Sequence, residues 1–375
     1  MTPGPAISDG VLLGTGILNP GEGIIRSPHY LPVEPGSYLW GRLPCATHSP
    51  VMTIDSGSEV TIDTLSHEGI LEDQGRDPAA FFAARGIDRD RALDDAVEVA
   101  ASDHRRNAGP TSQAGSDGPH VVSGPIAVRG ARPDDLLKIT VLGVRPRVPY
   151  GVISNRHASW ALPGEYPAGD GTVSVFASVD DDGVGSLPLR EGGGPRVRFP
   201  LNPFLGIMGV AVAGDTRPHS VPPGPHGGNI DINLLTAGSA LYLPVQVDGA
   251  LAYVGDPHLA QGDGEVALTA MEASLRADLR FEVVTQASAL ESFGELAGPL
   301  VETAEFLVPT GMDEDLDEAV RQCVRAAIAL LQARYGMEAH LAYAYLSAAT
   351  DFNISQVVDV VKGVHARIRV SDFGG

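Results

Sequence analysis

The chain is expected to be mainly β with added α/β portions: a jelly-roll-like β-sandwich or barrel core, with helices towards the C-terminus. Three observations carry that expectation. The 45 Gly and 29 Pro of the 375 residues fall between apolar runs rather than in tracts, as they do where short strands are joined by many turns. A turn followed by an alternating segment recurs three times, in DSGSEVTIDTL (55–65), ARPDDLLKITVLGV (131–144) and TAGSALYLPVQV (236–247). The clearest helical periodicity comes late in the chain.

In the third strand segment Leu241, Leu243, Val245 and Val247 keep period two, which predicts one buried face. From 315 to 335 the apolar residues Leu316, Val320, Cys323, Val324, Ala327, Ile328 and Leu331 follow helical spacing. Acidic residues crowd the start of that helix, arginines lie in its later turns, and Gly336 stops it. A second helix is expected over 337–349 and a third over 354–361, capped by Asn353, before a closing strand HARIRV. Residues 70–118 are charged and irregular and read as a surface insertion with short helices. Two lobes are expected, 1–200 with that insertion and 201–375.

Composition excludes several function classes. With 26 basic against 47 acidic residues the formal charge is −21, so neither a nucleic-acid partner nor an anionic membrane surface is expected. There is no run of about 20 apolar residues, and the first residues carry no secretory pattern, so a soluble, cytoplasmic protein is the expectation. Only Lys138 and Lys362 are lysines, and the 2 cysteines are too few for a thiolate cage. Cys323 reads as core, and nothing local marks Cys45 near His48 as a nucleophile. Hydrolytic chemistry here would use carboxylates, histidines and a metal.

The densest segment runs from 226 to 272. It begins HGGN, where Gly227 and Gly228 free the backbone either for an anion-binding nest or for an ordinary tight turn. GDPHLAQGDGEV then sets Asp256, His258, Asp263 and Glu265 within ten residues, bracketed by glycines. Carboxylates with imidazole suit zinc or a similar divalent ion, the alternative being a solvated polar hairpin. His67 and Glu68 open a zincin-like order, but Leu71 stands where the second His would be, so that motif is absent. His120 precedes a strand within reach of a site, and Asn155 and His157 lie in a loop positioned to cover a pocket. Asp215 and His219 approach the HGGN loop from its other side, whereas His340 and His365 read as structural.

PPGPHGGNIDINLLTAGSALYLPVQVDGALAYVGDPHLAQGDGEV resembles the acetamidase/formamidase family, as do GPIAVRGARPDDLLKITV, FPLNPFLGIMGVA and AYAYLSAATDFNISQVVD. The resemblance implies a β-rich, jelly-roll-like fold, hydrolysis of short-chain amides to carboxylate and ammonia, often a bound divalent metal, and a homo-oligomer, dimer or higher. His226, Asn229, Asp231, Asp256, His258, Asp263 and Glu265 stand at the motif positions. His67–Glu68, the 70–118 segment and the SNRHASWALPGE loop look like features of a subgroup.

On that footing His258 with Asp256, Asp231 and His67 would hold a metal, zinc first and calcium second, with Glu68 and His120 as further ligand candidates. Glu265 would move the water proton, with His226 and Asn229 beside it. The amides of Gly227 and Gly228, helped by Asn229, would face the oxyanion, and Asn155 and His157 the substrate. Two other readings remain: an amide or N-formyl hydrolase acting on a larger metabolite, and a non-catalytic jelly-roll protein with structural calcium, against which His258 speaks.

Overall fold

The computed structural model describes residues 16–102, 116–157, 161–180 and 182–374. Strands β1 (His29–Leu31), β2 (Tyr38–Trp40), β3 (Met52–Asp55) and β4 (Ser58–Asp63) come first, then helices α1 (Pro78–Ala83) and α2 (Asp94–Ala101). Next are β5 (Val121–Arg129), β6 (Leu136–Pro146), β7 (Tyr150–Arg156), β8 (Thr172–Val179), β9 (Val184–Pro188) and β10 (Arg196–Pro200). β11 (Phe204–Gly209), β12 (Gly227–Asn229), β13 (Ala240–Pro244), β14 (Ala252–Ala260), β15 (Met271–Glu272) and β16 (Leu275–Val284) follow. The chain continues through α3 (Gln286–Phe293), β17 (Leu300–Glu302), β18 (Phe306–Asp313), α4 (Leu316–Tyr335), α5 (Ala339–Ala349), β19 (Asp351–Gln356) and β20 (Lys362–Arg369).

The protein is mainly β, with two large sheets. One has nine strands in the order β1-β4-β16-β6-β13-β17-β18-β20-β19. The other has eleven, running β10-β9-β8-β7-β15-β14-β11-β12, with β5 joining β14 to β2 and β3. Both draw strands from either side of residue 200.

Apolar residues of the two sheets meet in one core, Ile62, Ile139, Leu241 and Leu279 from the first against Ile126, Val152, Phe204 and Val254 from the second. Such a fully buried aliphatic side chain contributes about 1.5–3 kcal/mol relative to exposure. A second core lies between the nine-stranded sheet and the late helices, where Ala240, Tyr242, Leu300 and Ile368 pack on Ala327, Leu330, Leu331, Ala342 and Leu346. β13 therefore buries both faces, Leu241 and Leu243 into one core and Ala240 and Tyr242 into the other. Its alternation predicts a single buried face; the helical layer covers the second.

α4 matches its expected span because its ends are locally coded. Asp315 Oδ1 accepts from the amides of Asp317 and Glu318, and Gly336 closes the helix at φ 64°. Cys323 is core, its thiol donating to the Pro309 carbonyl. Two expectations are corrected. The segment expected as a helix at 354–361 forms the end of β19 and a tight turn. The Gln356 side chain takes the amides of Val358 and Asp359 there, leaving none for a helical ladder. The described part of 70–118 is also more than a surface insertion, since Phe82, Ala96, Val99 and Ala100 of α1 and α2 are buried in the main core. Residues 103–115 of that segment lie outside the described residues.

Candidate active site and metal centre

The site is assembled where β11, β12 and β14 lie side by side. β14 brings Asp256 and His258, and His258 Nε2 stands 3.1 Å from Asp256 Oδ2 and 3.1 Å from Glu272 Oε1 on β15. The two-residue spacing does unite Asp256 and His258, but not on a regular strand, because Asp256 sits at φ 50°. In the β11–β14 ladder, Leu205 pairs with Pro257 and Ile207 with Gly255, which sets Gly206 opposite Asp256. His67, from the segment after β4, places Nδ1 3.5 Å from Asp256 Oδ1, and His120, just before β5, places Nε2 3.6 Å from the same oxygen. Asp256 thus turns one carboxylate oxygen to two histidines and the other to a third.

Asp231 and Glu265 also join His258, the ligand atoms of the three lying within 4.8 Å of one another. Both acids adopt left-handed backbone, at φ 49° and 45°. Left-handed backbone at three site carboxylates is strain held by the surrounding structure, a feature that concentrates at functional sites. His258 is held from behind: its Nδ1 is 3.0 Å from Gln261 Oε1, and Gln261 Nε2 donates to the carbonyls of Asp231 and Ser355. A second atom bonded to the far ring nitrogen is the usual support of a metal-binding histidine.

Burial sets the electrostatics. Asp231 and Glu265 are pushed well above the usual carboxylate range by desolvation, then by Asp359 for the first and Asp231 for the second. Desolvation and Glu265 do the same to Asp359. Asp256 is held well below that range although burial opposes it, because His120 and His258 face it. Burial would likewise lower His67, but Asp256, Glu68 and Glu272 raise it to about 10. His120 is lowered to about 3 by desolvation, and neighbouring histidines add to the effect. Five buried acids crowd three buried histidines, which is costly without further positive charge.

The residues present fit a divalent cation. Both oxygens of Asp231, Oδ1 of Asp256, Oε2 of Glu272, Nδ1 of His67, Oδ1 of Asn229 and Oδ2 of Asp359 are buried without a hydrogen-bond partner. Three trios have ligand geometry: His67–His120–Asp256, Asp231–His258–Glu265 and Asp256–His258–Glu272. Mixed imidazole and carboxylate donors are what zinc accepts. A cavity of about 350 Å³ opens over them, lined by His67, His120, Asn229, Asp256, Glu265 and Glu272 among others.

Other expected residues fall elsewhere. Glu68 turns away from the cluster and accepts from Ser154 Oγ at 2.5 Å and Gln74 Nε2 at 2.5 Å, with Arg156 Nη2 3.8 Å away. It meets His67 at 3.4 Å, and its carboxyl is held down to about 2 by His67 and Arg156 against the effect of burial. Arg156 is tied to Asp73 at 2.6 Å, so the described part of the 70–118 segment supports this side of the site. Asp263 bonds Asn233, Asn353 and Arg367 instead. His226 is buried beside the HGG turn and lowered to about 4 by desolvation.

Gly227 and Gly228 require their residue type, at φ 82° and 84°, but the Gly227 amide donates to the Gly224 carbonyl and Gly228 stands opposite Met208 in a ladder. Asn155 lies on β7 opposite Val173, and His157 lies 3.8 Å from Asp170; residues 158–160 of their loop are outside the described residues. Cys45 is buried 3.5 Å from His48 Nδ1, in a separate cluster.

Four contributors escape the sequence reading: Gly206, Gln261, Glu272 and Asp359. Glu272 belongs to no motif and arrives through the pairing of β15 with β14. Asp359 ends the quoted DFNISQVVD segment, and the helix expected there concealed it.

Residues 210–370 match the sequence model of the Acetamidase/Formamidase family. A formamidase of Methylophilus methylotrophus is 27% identical over 305 residues, 64% of this chain and 74% of that one. An acetamidase of Mycolicibacterium smegmatis is 26% identical over 234 residues, 48% of this chain and 57% of the other. The crystal structure of an acetamidase from Yersinia enterocolitica superposes with a TM-score of 0.71 at 22% identity, covering 98% of this chain and 96% of that one. Over residues 210–370 the sequence is thus similar to the acetamidase/formamidase family, and over nearly its whole length the chain shares its fold with the Yersinia acetamidase.

Proposed function

We propose that the protein hydrolyses a carboxylic amide, RCONH₂ + H₂O giving RCOO⁻ and NH₄⁺. The observation that carries this reading is that Asp256 and Glu265 line the cavity with the fully buried His258 paired to Asp256 behind them, among ligand atoms that lack partners. The matched formamidase and acetamidase support it. Asp256, His258 and Asp231, with His67 and His120, are the proposed ligands of a divalent cation, zinc before calcium because three of the donors are imidazoles. When bound, such a cation polarises the amide carbonyl and lets water act as a nucleophile near neutral pH.

The chain's own groups do the rest. Glu265 takes a proton from the attacking water and returns it to the amide nitrogen as the C–N bond breaks. Its raised proton affinity, caused by burial and Asp231, suits that exchange. The Asn229 side chain lines the same cavity and orients the carboxamide. Glu68 fixes the ring of His67 through Nε2 and leaves Nδ1 towards Asp256. His226, the Gly227–Gly228 turn, Asn155 and His157 are proposed to shape the surroundings.

We read the two facing sheets as a jelly-roll-like sandwich in two lobes, and the protein as a cytoplasmic homo-oligomer. No described helix is long and apolar enough to cross a membrane. The test is ammonia release from a panel of primary amides, before and after chelation, with metal analysis of the purified protein. Activity that chelation abolishes, in protein holding zinc, is expected. Calcium alone with no ammonia from any amide would leave the structural-calcium reading.

A further inference from the structure

We infer that the substrate is an amide with an apolar acyl group larger than acetyl, and that Leu268 and Val360 set this preference. The inference rests on the amide-hydrolase reading above and specifies its substrate.

The cavity is the first observation. Its volume of about 350 Å³ matches roughly a dozen waters, far more than formamide or acetamide fills. Beside the acids and histidines its lining includes the apolar residues Pro163, Val221, Leu268, Val357, Val358 and Val360. The two cations on its lining are engaged elsewhere, Arg156 with Asp73 and Glu68 and Lys362 with the Glu314 carbonyl. A small amide would leave the aliphatic wall facing water, whereas a branched or aromatic acyl group would cover it.

Backbone conformation is the second. Val360 has φ 67°, and the Val361 amide bonds the Asp359 carbonyl at 2.6 Å, a γ-turn of the strained hand. A β-branched residue is the worst suited to that backbone, and glycine the best. Leu268 stands at φ 100°. Two large apolar side chains are thus held on the cavity wall where the backbone favours glycine, and Val360 remains 54% exposed. The rim continues the theme: Leu162 and Val266, 48% and 63% exposed, adjoin the lining residues Pro163 and Glu265, and the Ala161 amide bonds the Val266 carbonyl. Exposed aliphatic side chains gathered at one cavity mark a ligand surface.

The test measures kcat/KM for formamide, acetamide, isobutyramide and benzamide with the wild-type protein and with Val360→Gly and Leu268→Gly. Values rising with acyl size, by about fourfold per buried methylene, are expected. Val360→Gly should raise Tm by relieving the backbone yet lower the isobutyramide-to-formamide ratio about tenfold, and Leu268→Gly should lower the same ratio. Formamide as the best substrate, with that ratio unmoved by both substitutions, would overturn the inference while leaving amide hydrolysis intact. Ammonia from none of the four would overturn the amide-hydrolase reading, and this inference with it.

Discussion

Gly206 stands opposite Asp256 across the β11–β14 ladder, and a Cβ on Gly206 would lie 2.8 Å from Asp256 Oδ2. The same Cβ would lie 2.5 Å from Asp231 Oδ1 and 2.6 Å from His258 Cε1. Three site side chains therefore converge on the space that this glycine leaves open. Gly206→Ala is expected to displace them, lowering amide turnover at least about 100-fold and weakening metal retention, since misplacement of about 1 Å has that effect. Circular dichroism should remain that of the wild type. Metal content and turnover equal to wild type would show that the cluster tolerates the methyl group.

Glu265 is buried against Asp231 and His258 and holds its proton more tightly than an ordinary carboxylate. Glu265→Gln keeps the shape and removes the proton exchange. Turnover should fall about 10²- to 10⁴-fold while metal content and Tm stay close to wild type. A fully active variant would exclude Glu265 from proton transfer.

Gln356 holds the turn that presents Asp359 and Val360. Its Oε1 accepts from the amides of Val358 and Asp359 at 2.9 and 3.1 Å, and its Nε2 donates to the Val361 carbonyl at 2.7 Å. The side chain is fully buried, so Gln356→Leu strands three backbone groups. A loss of about 2–4 kcal/mol in urea unfolding is expected, with faster proteolysis of the 356–361 turn. An unchanged unfolding midpoint would mean that the turn holds itself.

His365 and His226 give the protein an acid sensitivity with a defined window. Both are lowered by burial to about 4, and His365 has Nε2 without a partner and Nδ1 2.8 Å from Ser355 Oγ. An unfolded histidine titrates near about 6.5. Between these values the unfolded chain binds more protons than the folded one, so the contribution of these two histidines to stability falls as pH drops from about 6.5 to about 4 and levels off below. Each histidine contributes of order 3 kcal/mol to that fall, from the shift to about 4. His365→Asn should therefore lose less stability than wild type between pH 7 and pH 4.5 in denaturant titrations. Equal losses in the two proteins would place the acid sensitivity elsewhere.

What could be read from the sequence was what short-range chemistry encodes. α4 was legible because Asp315 and Gly336 mark its ends and its stripe repeats every three or four residues. Asp256, His258 and Glu265 were legible because glycine-bracketed acids and a histidine within ten residues are unusual in any context. His67 and His120 were noticed singly, but no spacing joined them to Asp256. The segment at 354–361 misled because Ile354, Val357, Val358 and Val361 fit a helical stripe as well as a strand and turn. The deciding contact there is a buried glutamine side chain, to which periodicity is blind.

The sequence by itself therefore determined the mainly β class, the late helices and the acid-and-histidine chemistry of one segment. The tertiary structure decided which atoms meet. Strand register put Gly206 opposite Asp256 and brought Glu272 to His258; the γ-turn at Val360 follows Asp359 on the cavity wall. It also decided that five acids share one desolvated space, and their proton affinities follow from that crowding. Side-chain type is local information, whereas burial and the distance between charges depend on segments up to about three hundred residues apart, from His67 to Asp359.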